Sequence, residues 1–141
     1  MMILTVHNRY QIRGGEDAVF DAEDRLLREQ GNKIIQYEAH NDAIERLGKL
    51  KTSVRTIWSR ESLQRLDEIL ADQRPDVMHI HNVFPLISPS IYHGAKQHKI
   101  PVVQTIHNYR LFCLNGYFFR ENRVCEDCLG KLVPWPAILS R

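Results

Sequence analysis

Asp76-Val77-Met78-His79-Ile80-His81-Asn82 is the stretch on which the fold turns. A short apolar run with two interspersed imidazoles fits a strand of a sheet covered on both faces. It ends in histidine followed by asparagine, and two other segments end the same way: Val6-His7-Asn8 and Ile106-His107-Asn108. Upstream, Pro75 stops a helical stripe of Leu63, Leu66, Ile69 and Leu70. Downstream, Ser88-Pro89 supplies a cap and a first-turn proline for a helix to about Gln97,. Ile100-Pro101-Val102-Val103-Gln104-Thr105-Ile106 then reads as a further strand.

The front of the chain repeats the alternation. Met2-Ile3-Leu4-Thr5-Val6 is a buried-type strand, followed by a loop over residues 7–14. A helix fits residues 16–30, with Val19, Ala22, Leu26 and Leu27 at helical spacing and Gly31 placed to end it,. Lys33-Ile34-Ile35-Gln36-Tyr37 is the second strand. Asn41 or Asp42 caps a helix carrying Ile44, Leu47, Val54 and Ile57, which Gly48 weakens,.

Strands alternating with helices specify an α/β fold: a Rossmann-like open parallel sheet with helices on both faces, wound by right-handed crossovers. The doubly wound layout predicts the spatial order second, first, third, fourth. We assign the α/β core to residues 1–110 and a Cys-containing loop or hairpin with a C-terminal tail to residues 111–141. In such sheets ligands bind outside the carboxyl ends of the strands, at the point where the winding reverses. The polar residues fall on that edge.

The 141 residues, 43% hydrophobic and 26% charged, suit one soluble domain,. A net charge of +2 argues against a dedicated nucleic-acid surface,. No apolar run approaches the roughly 20 residues that span a bilayer, so a cytoplasmic location is the default. The apolar tail from Leu132 to Leu139 reads as a packing seam or as a membrane-associating stretch. With nothing after it to pack on, the chain reads as the front part of something larger, or as a domain cut from it.

With neighbouring strands about 4.8 Å apart, the tips carrying His7, His81 and His107 span about 10 Å. Gly14-Gly15 offers backbone N–H groups at a helix N-terminus, suited to a phosphate or to an ordinary turn,. Glu16 and Asp17 repel a phosphate there unless their side chains turn away. His79 and His81 share one side of their strand. His79, the deeper, reads as a core histidine, and His81 as a site residue. His107 is the strongest candidate to orient or deprotonate a hydroxyl. A zinc site from His7, His81 and His107 is disfavoured, because the sequence places no carboxylate or cysteine beside them.

Cys125-Glu126-Asp127-Cys128 follows Cys113 by twelve residues. Three thiolates form a structural zinc site lacking a fourth ligand, or remain three reduced cysteines in a loop. Tyr109-Arg110-Leu111-Phe112 and Tyr117-Phe118-Phe119-Arg120 suit a lid over the crevice or a hairpin turning at Glu121-Asn122.

Taken together, Ile3 to Asn8 with Gly14-Gly15-Glu16, then Pro75 to Asn82, then Pro101 to Arg110 resemble the N-terminal half of a family 4 (GT-B) glycosyltransferase. The subset it is similar to is the one whose last motif runs into a cysteine-containing loop, here Cys113-Leu114-Asn115-Gly116 and Cys125 to Gly130. The resemblance implies an acceptor-side domain that faces a separate donor domain, absent from these residues. It implies retaining transfer of a sugar from a nucleotide-sugar to a glycan or lipid-linked acceptor, as in bacterial-type polysaccharide assembly, without a catalytic metal cofactor. Carried over, Gly14 and Gly15 approach the donor phosphates and His107 lies near the reacting sugar. His81, Asn82, Asn108, Tyr109 and Arg110 lie on the acceptor side. Cys113, Cys125 and Cys128 are implied zinc ligands, completed by a cysteine beyond Arg141. Peripheral membrane association fits a lipid-linked acceptor. The alternative is a non-enzymatic Rossmann-like module, zinc-stabilised, that binds a ligand or partner.

Overall fold

The computed structural model describes residues 1–139. Its contacts divide the chain into a unit of Met1–Thr105 and a second unit beginning at Ile106, close to the 110/111 border expected from the sequence. Positions 140 and 141 of the expected tail lie outside the described residues.

The first unit is an α/β layer structure. Strands β1 (Met2–Arg9), β2 (Lys33–His40), β3 (Val77–Asn82) and β4 (Val102–Gln104) form one sheet. Their order is β2-β1-β3-β4 with every pairing parallel. This is the predicted doubly wound order, with the winding reversing between β1 and β3. Helix α1 (Gly15–Glu29) links β1 to β2. Helices α2 (Ala43–Leu47), α3 (Lys49–Ile57) and α4 (Arg60–Asp72) precede β3, and α5 (Ser90–Gln97) precedes β4.

Side-chain alternation along the strands separates two unlike faces. Leu4 and Val6 of β1 and Met78 and Ile80 of β3 join Leu66, Leu70, Ile91 and Ala95 in the apolar core. The intervening His7, His79 and His81 lie on the other face, where His7 and His81 meet Phe20 of α1. Each fully buried aliphatic side chain in that core contributes about 1.5–3 kcal/mol of transfer free energy.

Three local expectations change in the structure. The helix spanning Ile44 to Ile57 is two helices, because Gly48 takes φ 77° and ends α2. The fourth strand is three residues long rather than seven; Pro101 lacks an N–H, and β4 lies at the edge of the sheet,. The inward side of α1 is rotated from the apolar stripe: Asp17 and Phe20 are buried, whereas Val19 and Leu26 are exposed. A helix that covers histidine-bearing strand tips is selected for polar partners on that side, so hydrophobic periodicity misplaces its face. Among the described residues, no helix is long and apolar enough to cross a membrane.

In the second unit, β5 (Phe119–Arg120) and β6 (Arg123–Val124) pair antiparallel. Glu121 and Asn122 between them both have positive φ, 52° and 61°. Two such central residues make the mirror-image turn that suits a two-residue hairpin, so the hairpin reading holds. A short helix α6 spans Trp135–Leu139.

Candidate functional site

The carboxyl edge of β1 and β3 gathers ionisable side chains against α1. His7 has no exposed surface and its ring stacks on Phe20 at 4.7 Å. Its Nε2 lies 2.8 Å from Asp17 Oδ1. Asp17 Oδ2 accepts the Gly14 N–H at 2.9 Å, as the acid of a capping box does,. Burial disfavours the imidazolium and outweighs the attraction of Asp17, so the His7 pKa falls below its ordinary value,. Burial pushes the Asp17 carboxyl up, but the Gly14 N–H and His7 together outweigh it and hold the group low. Asp17 thus turns inward, and Glu16 accepts a 2.9 Å bond from the Tyr10 hydroxyl.

His81 is 4% exposed, and its Nε2 lies 3.1 Å from Glu23 Oε2. His79 Nε2 lies 3.6 Å from the same oxygen and 2.8 Å from Thr105 Oγ1. The two rings stand 4.5 Å apart on one side of β3, as the alternation required. The expectation that no carboxylate accompanies the histidines is therefore corrected: Asp17 serves His7, and Glu23 serves His79 and His81. The missed signal is that Asp17, Phe20 and Glu23 recur every three residues, which puts them on one side of α1.

Next to the imidazoles, asparagines fasten the strand tips. Asn8, fully buried, donates through Nδ2 to Asn41 Oδ1 at 2.7 Å and accepts the Leu86 N–H at 3.0 Å. Asn82 donates to the Asn8 carbonyl at 3.2 Å and accepts the Phe84 N–H at 3.0 Å. Of the expected site residues on this edge, His81 and Asn82 are both nearly enclosed. Gly14 and Gly15 are exposed, and a Cβ added at either meets nothing within 4 Å. Gly14 has an ordinary extended backbone, φ −113° and ψ −173°. Nothing in the fold itself requires glycine there.

His107, Asn108, Tyr109 and Arg110 open the second unit. Asn108 Oδ1 accepts the Arg110 N–H at 3.0 Å, the Tyr109 N–H bonds the Gly116 carbonyl at 2.9 Å, and the Tyr109 ring packs on Phe118 at 5.2 Å. Cys113, Cys125 and Cys128 line one open pocket of about 460 Å³ together with Asn115, Phe118 and Arg120. Burial raises the Cys113 thiol, but backbone N–H groups of Phe118, Asn115, Gly116 and Tyr117 outweigh it and bring its pKa below the usual thiol value,. The three sulfurs are not gathered within 4.8 Å of one another. Among the described residues, the one set of three candidate ligand atoms that close is Glu23, His79 and His81.

A doubly wound parallel sheet with polar groups at its carboxyl edge is a Rossmann-like architecture,. Comparison with known families narrows this: the model of the glycosyl transferase 4-like domain matches residues 42–135, more than half of the chain. The chain belongs to that family and is a glycosyltransferase-type domain. The match takes in β3, the stretch from His107 to Arg110 and all three cysteines, while β1 and the glycine pair precede it. No curated protein and no solved structure matches the chain.

Proposed function

We propose that this chain is the acceptor-side half of a retaining, GT-B-type glycosyltransferase. The complete enzyme moves a sugar from a nucleotide-sugar to a glycan or lipid-linked acceptor, the chemistry of bacterial-type surface polysaccharide assembly. The family match over residues 42–135 carries the reaction class. The glycine pair supports the donor contact: it is exposed at the N-terminus of α1, and among the described residues a Cβ added at either meets nothing within 4 Å. Backbone N–H groups there can approach a phosphate closely, and the helix dipole favours its charge. Asp17 turns one carboxylate oxygen inward to His7, and a phosphate competes with its other oxygen for the Gly14 N–H.

In this reading His107 orients the reacting groups, and Asn108, Tyr109 and Arg110 contact the acceptor. His81 and Asn82, both nearly buried, belong to the acceptor side of the first unit. Catalysis rests on positioning and on dipoles that stabilise the departing phosphate, without a catalytic metal. A donor-gripping domain completes the cleft, and a lipid-linked acceptor would bring the enzyme to the cytoplasmic membrane surface.

The test is nucleoside diphosphate release from a panel of nucleotide-sugars with lipid extract as acceptor. The chain is assayed alone and joined to the coding sequence that follows it. Release by the joined protein and none by the 141 residues is expected. A natural stop after Arg141, or no release with any donor, would favour a ligand- or partner-binding module instead. Its stabilising zinc would sit in the pocket where Cys113 is already held toward the thiolate.

A further inference from the structure

Glu23 and His79 have no part in the proposed transfer and His81 borders its acceptor side, yet the ligand atoms of all three lie within 4.8 Å of one another. We propose that they bind a divalent first-row transition ion, zinc by preference, which clips α1 to β3. The inference shares His81 with the transferase reading but rests on the ligand geometry and not on that reading.

The spacing carries the argument. Zinc bound at about 2.0–2.1 Å by tetrahedral ligands places neighbouring ligand atoms about 3.3 Å apart. Glu23 Oε2 lies 3.1 Å from His81 Nε2 and 3.6 Å from His79 Nε2, on either side of that separation. Two imidazoles and one carboxylate are the donor set of zinc and related borderline ions, and solvent takes the remaining position. A second observation points the same way. Glu23 Oε2 is shielded from solvent and has no well-directed hydrogen-bond donor, a costly state for a carboxylate oxygen. An ion between the three residues satisfies it.

The surroundings permit the charge. The neighbouring carboxylate of Asp17 is engaged by His7, and Arg9 is committed to Glu38 and Asp21. The Glu23 side chain is 37% exposed, which gives an ion a path from solvent. Binding replaces the 2.8 Å contact between His79 Nε2 and Thr105 Oγ1.

Cobalt(II) titration of the full chain tests the site, with Cys113, Cys125 and Cys128 all changed to Ser so that thiolates do not compete. One equivalent is expected, with ligand-field bands and no thiolate charge transfer, and zinc should displace it and raise the melting temperature. Glu23→Gln should weaken cobalt binding at least tenfold and abolish the zinc-induced rise. No cobalt bound by a natively folded chain, or unchanged affinity in Glu23→Gln, would overturn the site and leave a His–Glu ion pair. Should the serine variant lose its native circular dichroism, cobalt-loaded wild type decides. Hyperfine-shifted imidazole N–H resonances that disappear in His79→Asn support the site, and their absence from wild type refutes it.

Discussion

His7 is clamped between the Phe20 ring and the Asp17 carboxylate with no access to water. Its pKa is lowered by folding, so near neutrality the unfolded chain binds more protons at this position than the folded one,. The associated stability is complete above the ordinary imidazole value of about 6.5 and is lost as pH falls through the lower folded value. Asp17, also lowered, adds a second loss below its ordinary value of 3.8. Urea midpoints measured between neutral and acid pH should decline below about 6.5, and His7→Gln should flatten that first decline. Asn8 makes a sharper prediction. Asn8→Ala strips partners from the Leu86 N–H and from Asn41, each worth roughly 1–3 kcal/mol when left bare,. Denaturation should show a loss of about 2 kcal/mol or more. The sequence marked His7 and Asn8 as strand-tip residues, but it did not reveal these bonds. Asp17, Asn41 and Leu86 are 10, 33 and 78 residues away along the chain, and folding alone brings them near.

At the scale of elements, α4 and α5 meet where Gly94 faces Leu66 and Leu63. A Cβ on Gly94 would lie 2.7 Å from Leu66 Cδ2 and 3.0 Å from Leu63 Cδ2. Leu66 is fully buried and cannot swing away freely. Gly94→Ala should therefore cost about 1–3 kcal/mol by overpacking, read as a lowered melting temperature, despite its better helix propensity. In the hairpin the sign reverses. Asn122 has φ 61° and follows Glu121 in the same left-handed region. Asn122→Gly should stabilise the hairpin by about 0.5–1 kcal/mol, seen as slower amide exchange at Val124. Glu121-Asn122 was readable as a turn because it lies between the aromatic run ending at Phe119-Arg120 and the following Arg123-Val124. The break at Gly48 and the shortness of β4 were harder to read, since a single glycine or proline shifts an element's end without erasing its hydrophobic pattern.

For the whole molecule, the proposed reaction predicts that His107→Ala lowers sugar transfer by the complete enzyme at least tenfold while circular dichroism still shows the native fold. Unaltered turnover would remove His107 from the mechanism. Alternating strands and helices, the order β2-β1-β3-β4 and the polar carboxyl edge all followed from local signals: apolar runs, caps, prolines and the repeated His-Asn endings. These are properties of neighbouring residues, and the handedness of crossovers then leaves few ways to assemble them. Tertiary structure alone decided which side of α1 faces inward, and with it the pairing of Asp17 with His7 and of Glu23 with His79 and His81. The reason is physical. Hydrophobic periodicity reports burial against an apolar core, whereas this helix covers imidazoles, whose partners are carboxylates. That complementarity exists only once β1, β3 and α1 have met.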